Sequence, residues 1–449
     1  TRATAGWVRS WRRSPTKSMS AVLTYEAQLS AAIAAAESRL SQGPEWLAAL
    51  RTRALAIHKD LGIPTPKHEE WKYTPLRTVA NTNWQPAEGG PALFEREFRT
   101  YTDSKIKIVL VNGRLDRNLS DIPATLGLTA MSLFDAIGSE PTISEFLGQV
   151  ASVEEHTFAA LNTALFEDGL YLHLKKGAMV EPVIEILHIT SGSGQVIAPR
   201  ILVVAEEGSV AQILEQYVSA EEAANLTIPV TEVVTHKHAN IEHVRLQDES
   251  TENFHIALWE TRQTGESEYR SYNVAFGAAI GRLDQNIMLD GRHITTRLDG
   301  VVVARGEQIL DNHTKLDHAM PDCNSFEIYK QIIDDKASVV FNGKIFVHQD
   351  AQKTDAKQTN QALLLSPNAT INSKPQLEIF ADDVKCTHGA TVGQIEPTFL
   401  FYMRSRGIPK AEAEAILVYA FAAEVLELIS NDDLKKNLEA RLFEKLGLS

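Results

Sequence analysis

Cys386 and His388 stand two residues apart in the run Lys385-Cys386-Thr387-His388-Gly389. In an extended strand, residues i and i+2 point to the same side, about 7 Å apart along the backbone. A thiol and an imidazole would then project together. Both suit iron or a sulfur-bearing cluster as ligands. Asp382-Asp383 before the pair and Gly389 after it suit a strand bounded by turns. Taken alone, the pair is equally consistent with a buried cysteine beside a structural histidine.

Other groups could carry chemistry. His236, His238 and His243 lie close together, as do His313, His318 and Cys323. Imidazole and thiolate are good ligands for zinc or iron. These spacings match no known ligand pattern, and exposed or hydrogen-bonded strand histidines are the preferred reading; His236 and His238 would share one strand face. The acid pairs Asp334-Asp335 and Asp382-Asp383 could serve glycoside cleavage only if set across a cleft. Adjacent acids are more often solvated turn residues. No Gly-x-x-x-x-Gly-Lys-Ser/Thr loop is present, nor a Gly-x-Gly-x-x-Gly after a strand, a Gly-x-Ser-x-Gly elbow or a His-Glu-x-x-His helix. Nucleotide binding by the first two routes is therefore excluded.

The chain has 449 residues, 44% hydrophobic and 23% charged, enough for two or three structural units with a sizeable core. A net charge of −14 argues against a nucleic-acid partner, which needs clustered Lys and Arg. Cys323 and Cys386 are the two cysteines, too few for a disulfide framework or a Cys-only cluster site in one chain. A reducing compartment, the cytoplasm, is the natural setting. The most apolar helix candidate, 415–423, falls far short of the roughly 20 residues a membrane span requires. Residues 1–18 carry Arg2, Arg9, Arg12, Arg13 and Lys17 and no acid. The expectation is a vector-derived or mis-annotated extension ahead of a start at Met19, with a plastid-type transit peptide as the alternative.

The elements that must position these residues fall into three blocks. Residues 24–61 have helical apolar spacing, broken at Gly43-Pro44 and ended by Gly62-Ile63-Pro64-Thr65-Pro66. The polar and aromatic run 68–76 is expected to be a packed connector anchored by Trp71 and Tyr73. Residues 105–114 predict a strand entering a tight Asn112-Gly113 turn. Residues 130–166 look mixed. From 167 to about 395, short β-branched runs recur (201–205, 228–235, 241–246, 301–304, 338–341, 344–347 and 377–380), with Asp290-Gly291, Asp299-Gly300 and Asn342-Gly343 as punctuation. A sandwich, a barrel or a β-solenoid would fit, and no strict repeat length is visible. After Pro409, residues 410–429 are helical. Asn431 then caps a helix bearing Leu434, Leu438, Leu442 and Leu446.

The run from Ser373-Lys374-Pro375-Gln376 through Phe380-Ala381-Asp382-Asp383-Val384-Lys385-Cys386-Thr387-His388-Gly389 to Gly393 closely resembles the C-terminal core of the SufB/SufD family. Residues 400–408, the connector 68–76, Val111-Asn112-Gly113-Arg114 and His318-Ala319-Met320-Pro321 are similar to that family as well, so the resemblance covers nearly the whole chain from about residue 24. The Glu/Trp/Tyr connector and Gly389 after His388 look like the SufD branch rather than SufB, which usually carries more cysteines. The resemblance implies a mainly β chain: a right-handed parallel β-helix core between N-terminal and C-terminal helical domains. The expected divisions are 1–18 (basic extension), 19–104 (helical domain and connector), 105–166 (mixed), 167–396 (β-helix) and 397–449 (helical, ATPase-docking).

It also implies function. Such chains are non-enzymatic scaffold subunits that pair with SufB through the β-helix and with the ATPase SufC through the C-terminal helices, building nascent iron–sulfur clusters. His388 matches the family's interface histidine, implicated in iron acquisition, and Cys386 the neighbouring cysteine, whose role is less secure. No cofactor would be tightly bound in the isolated chain; iron or a nascent cluster would be held transiently and shared with SufB. A homodimer is expected as a possibility when SufB is missing, and neither nucleic acid nor membrane as a partner. The alternatives are a SufB-type sulfur-accepting scaffold and a β-solenoid carbohydrate-active enzyme.

Overall fold

The computed structural model describes residues 29–89, 97–124 and 127–447. The readings made for residues 1–18 and Met19 lie outside these. Helices Ser30–Glu37 and Glu45–Leu61 are separated at Gly43-Pro44, where Gly43 has φ 94° and Pro44 opens the second helix. After Asn112 (φ 49°) and Gly113 (φ 83°), strand Ile106–Val111 folds back antiparallel onto Arg114–Leu115. Two successive positive φ values define the turn that an Asn-Gly pair favours.

From there the chain winds as a parallel β-solenoid of about eight turns. Successive strands alternate between two sheets, and each strand pairs with the strand one coil away rather than with its neighbour in sequence. Glu268 pairs with Thr295, Thr295 with Asn324, Asn324 with Asp355 and Asp355 with Lys385, so these coils take 27, 29, 31 and 30 residues. The drift in length hides the repeat from a search at fixed period.

Many of these strands are buried on both faces, which gives continuous apolar runs rather than alternation. The outer face of the second sheet, through Val244, Leu246, Val274, Val301 and Val303, packs against Val418, Ala422, Val425 and Leu426 of helix Lys410–Leu426. Helix Asp432–Leu446 adds Leu434, Leu438, Leu442 and Leu446, all buried, and Asn431 caps it by accepting from the Leu434 N–H at 2.9 Å. The outer face of the first sheet is covered by the helical head, where Trp71, Val79, Trp84, Phe158 and Leu161 meet Val196, Leu226, Ile228 and Phe254.

A charged clasp locks the connector onto this sheet. The Arg282 guanidinium lies 3.8 Å from the Trp71 ring centre and donates to both oxygens of Asp284 at 2.7 Å and to Asp311 at 2.9 Å. His313 reaches Asp311 at 3.0 Å and Glu70 at 3.2 Å. Burial alone would lower the His313 pKa; Asp311 and Glu70 together outweigh it and raise it to about 9. Trp71 is the anchor expected of this connector. Tyr73 is 43% exposed and is not; the second anchor is its neighbour Thr74, which is buried and donates its hydroxyl to Asp311.

Two glycine pairs read as turns lie inside strands. Asp299-Gly300 belongs to Thr295–Ala304, and Asn342-Gly343 to Ser338–Val347, which merges two expected strands into one. The reason is internal packing: a Cβ on Gly300 would collide with the Tyr329 ring, and one on Gly343 with Phe341 and Gln358. Gly300→Ala is therefore expected to lower stability by about 1–3 kcal/mol, the usual cost of overpacking, measurable by denaturant unfolding. An unchanged midpoint would refute this packing account.

Candidate functional site

The two ends of the solenoid differ. At the N-terminal end each sheet closes on an antiparallel strand, Arg114–Leu115 in one and Leu128–Ser132 in the other. At the C-terminal end the sheets stop at Thr370–Ile379 and Lys385–Gly393, each paired on one side. Cys386 and His388 lie on the second of these terminal strands.

Register decides which way they point. Cys386 stacks on Ala356 and Ser325, and His388 on Gln358 and Glu327. All four underlying side chains are buried, whereas Lys357 between them is exposed. Cys386 and His388 therefore share the inward-facing side, as their i, i+2 spacing predicts. No further coil covers them among the described residues. His388 is exposed, and Cys386 is half-buried against the inner apolar cluster. Burial pushes the Cys386 thiol up from its ordinary value, so it is a neutral thiol that must lose a proton to bind metal.

Beneath His388 the column is polar. Glu327 accepts from the Thr314 hydroxyl at 2.6 Å and from Gln358 Nε2 at 2.7 Å. Burial raises its carboxyl to about 7. Neither Gln358 nor Glu327 is marked by a motif. Their only sequence signal is a polar residue about 30 and 60 positions before His388, meaningful once the coil length is known.

The other candidate residues are dispersed into structural roles. His236 and His238 do not share a strand face: both fall in the turn between Val230–Thr235 and Asn240–Asp248, with His238 at φ 60°. His243 is fully buried in the lumen and bonds Glu215 at 3.1 Å. Burial would raise Glu215, but the nearby His188 and His243 together outweigh this and hold it well below its ordinary value. His313 and His318 are five residues apart on one strand and so face opposite ways: His313 joins the outer clasp, while His318 bonds Ser325 at 2.9 Å inside. Cys323 is buried, its thiol donating to the Gly291 carbonyl at 3.1 Å. Among the described residues, no three His, Cys, Asp or Glu side chains converge to hold a metal ion. Asp335 accepts from the Gly306 N–H at 3.0 Å and Asp383 pairs with Lys353, so both acid pairs are turn residues.

A further feature follows the last strand. Helix Pro397–Ser405 has no buried residue; Phe399 and Tyr402 are each 56% exposed and Phe401 is 74% exposed. Apolar rings this open on one short helix mark an interaction surface.

Comparison with known proteins bears on most of the chain. The family model described as "SUF system FeS cluster assembly, SufBD core domain" matches residues 188–421, and "SufBD protein N-terminal region" matches residues 25–186. The chain is 33% identical over 390 residues to the Escherichia coli (strain K12) "Iron-sulfur cluster assembly protein SufD", covering 86% of this chain and 90% of that protein. It is 27% identical to the Bacillus subtilis (strain 168) protein of the same name, covering 91% and 96%. It is 36% identical to Arabidopsis thaliana "Protein ABCI7, chloroplastic", covering 65% and 63%.

The raised Glu327 pKa carries a pH prediction. A carboxyl that holds its proton more tightly folded than unfolded adds stability that is full below the ordinary carboxyl range and is lost as pH rises through about 7. Glu327→Gln removes that loss. The variant should match the parent in acid and exceed it at pH above 7 by on the order of 3 kcal/mol, read as a Tm difference across pH. A difference that does not vary with pH would contradict this.

Proposed function

The chain belongs to the SufBD family of iron–sulfur cluster assembly proteins, and from that membership we propose that it works as a SufD-type subunit whose His388 completes a site shared with a partner. It is a scaffold subunit of iron–sulfur cluster assembly. The observation that supports the finer reading is the position of His388 and Cys386 on a terminal strand of the solenoid, paired on one side only among the described residues. A strand edge with free N–H and C=O groups is a template for another chain. A partner solenoid joined there would set its own ligands against His388, so iron or a nascent cluster would be bound as cargo between two chains. In that role the ring is neutral and offers one nitrogen lone pair.

In this reading SufB is the partner at the solenoid end and the ATPase SufC binds the C-terminal helices, with Phe399, Phe401 and Tyr402 as anchors. Nucleotide-driven closure of the ATPases would twist the helical tail and loosen the seam at His388, admitting iron and sulfide. The chain itself turns nothing over. Two cysteines, one of them buried and bonded to backbone, give little support to a sulfur-accepting role, and the turn-bound acid pairs give none to glycoside cleavage. A cytoplasmic or plastid setting belongs to the same proposal; a chloroplastic relative supports the second. Among the described residues no helix is long and apolar enough to cross a membrane.

Two experiments test this. His388→Ala should lower cluster formation by the reconstituted complex at least tenfold while leaving the complex assembled; normal yield would sink the shared-ligand role. Phe401→Ala combined with Tyr402→Ala should weaken ATPase binding by about tenfold or more, as loss of aromatic anchors does, with unfolding unaffected. Unchanged affinity by calorimetry would remove the helix from the docking surface.

A further inference from the structure

Gln358 sits one coil beneath His388 on the same inward face, 2% exposed. Its Nε2 donates to Glu327 Oε2 at 2.7 Å, and Glu327 Oε1 accepts from Thr314 at 2.6 Å. Above about pH 7 the Glu327 carboxylate is ionised and can only accept, which fixes the orientation of the amide. The other polar atom of the same planar group, Oε1, faces away from Glu327. It is buried and has no hydrogen-bond partner among the described residues. A buried carbonyl left unpaired costs about 1–3 kcal/mol. Register neighbours in a parallel ladder lie about 4.8 Å apart, and the neighbour on the open side is His388. Gly343, on the facing sheet, clears the space the Gln358 amide occupies, since a Cβ there would meet its Nε2.

We propose that the exposed His388 ring turns inward onto Gln358, which is held by Glu327 and Thr314 and accepts one ring N–H, so fixing the tautomer and direction of the imidazole and leaving the other nitrogen's lone pair aimed out of the solenoid end. Gln358 and Glu327 are positioning residues: neither touches the cargo. Amide or carboxylate partners on the far nitrogen of a ligand histidine set its tautomer and raise its donor strength. The inference rests on the reading of His388 as a ligand, but its test does not depend on cluster chemistry.

The test is the tautomer ratio of His388 in the full chain, read from ring ¹⁵N shifts of histidine-labelled protein at mildly alkaline pH, with His388→Ala identifying the signals. In Gln358→Leu the ratio should shift about fivefold, the factor of a single hydrogen bond. Glu327→Gln, which frees the amide to turn, should shift it in the same direction by less, and decides the matter if Gln358→Leu fails to fold. A folded Gln358→Leu with an unchanged ratio overturns the proposal, and so does an unchanged ratio in Glu327→Gln where that variant is the arbiter. Loss of cluster formation in His388→Ala alongside an unchanged ratio would leave the ligand role standing and remove only the positioning by Gln358. A shifted ratio alongside normal yield in His388→Ala would do the reverse.

Discussion

A parallel ladder satisfies the backbone only where another strand lies beside it. Every coil of this solenoid supplies that neighbour except at the ends. The N-terminal end closes with antiparallel strands and a helical head. The C-terminal end stops at Lys385–Gly393 and Thr370–Ile379, whose outer edges have no strand partner among the described residues. Natural proteins blunt or cover such edges; this one places a thiol and an imidazole on it. The open edge and the Cys386–His388 pair are thus one feature, since a chain that completed the ladder would also arrive at His388.

The rest of the molecule holds that edge in register. A one-residue slip would turn Cys386 and His388 outward, and what resists it is the stack beneath them. Ala356 and Ser325, Gln358 and Glu327 are all buried in fixed columns. The head is fastened to the first sheet by the Trp71–Arg282–Asp311 clasp, and the tail to the second by leucine packing and by Tyr272 donating to the Leu428 carbonyl at 2.9 Å. Movement of the helical tail would therefore act on the sheet that ends in His388.

A polar lumen is the unusual element. Burying Glu215, His243 and Glu327 inside coils is costly unless each is bonded. Glu215 is bonded to His243 and to the Tyr217 and Thr231 hydroxyls, Glu327 to Thr314 and Gln358. The last buried polar side chain of this column is Gln358, the register neighbour of His388.

Local chemistry is legible from the residues alone. The Asn112-Gly113 turn, the break at Gly43-Pro44, the cap at Asn431 and the leucine stripe from Leu434 to Leu446 depend on neighbours in the chain, so their residue types suffice. The i, i+2 spacing of Cys386 and His388 likewise determines that they share a face, and the long run around them is specific enough to mark the family. Contacts about 30 residues apart are of a different kind. The coil lengths drift, so the repeat does not appear as a period. Asp299-Gly300 and Asn342-Gly343 look like turns because their real partners, Tyr329 and Gln358, come from other coils. His236 and His238 appear to share a strand face until the coil places them in a turn. That the shared face of Cys386 and His388 is the inner one, that it lies at an uncapped end, and that Gln358 and Glu327 stand below it were decided by the stacking of coils, since parallel pairing joins residues by position in the turn and not by proximity in the chain.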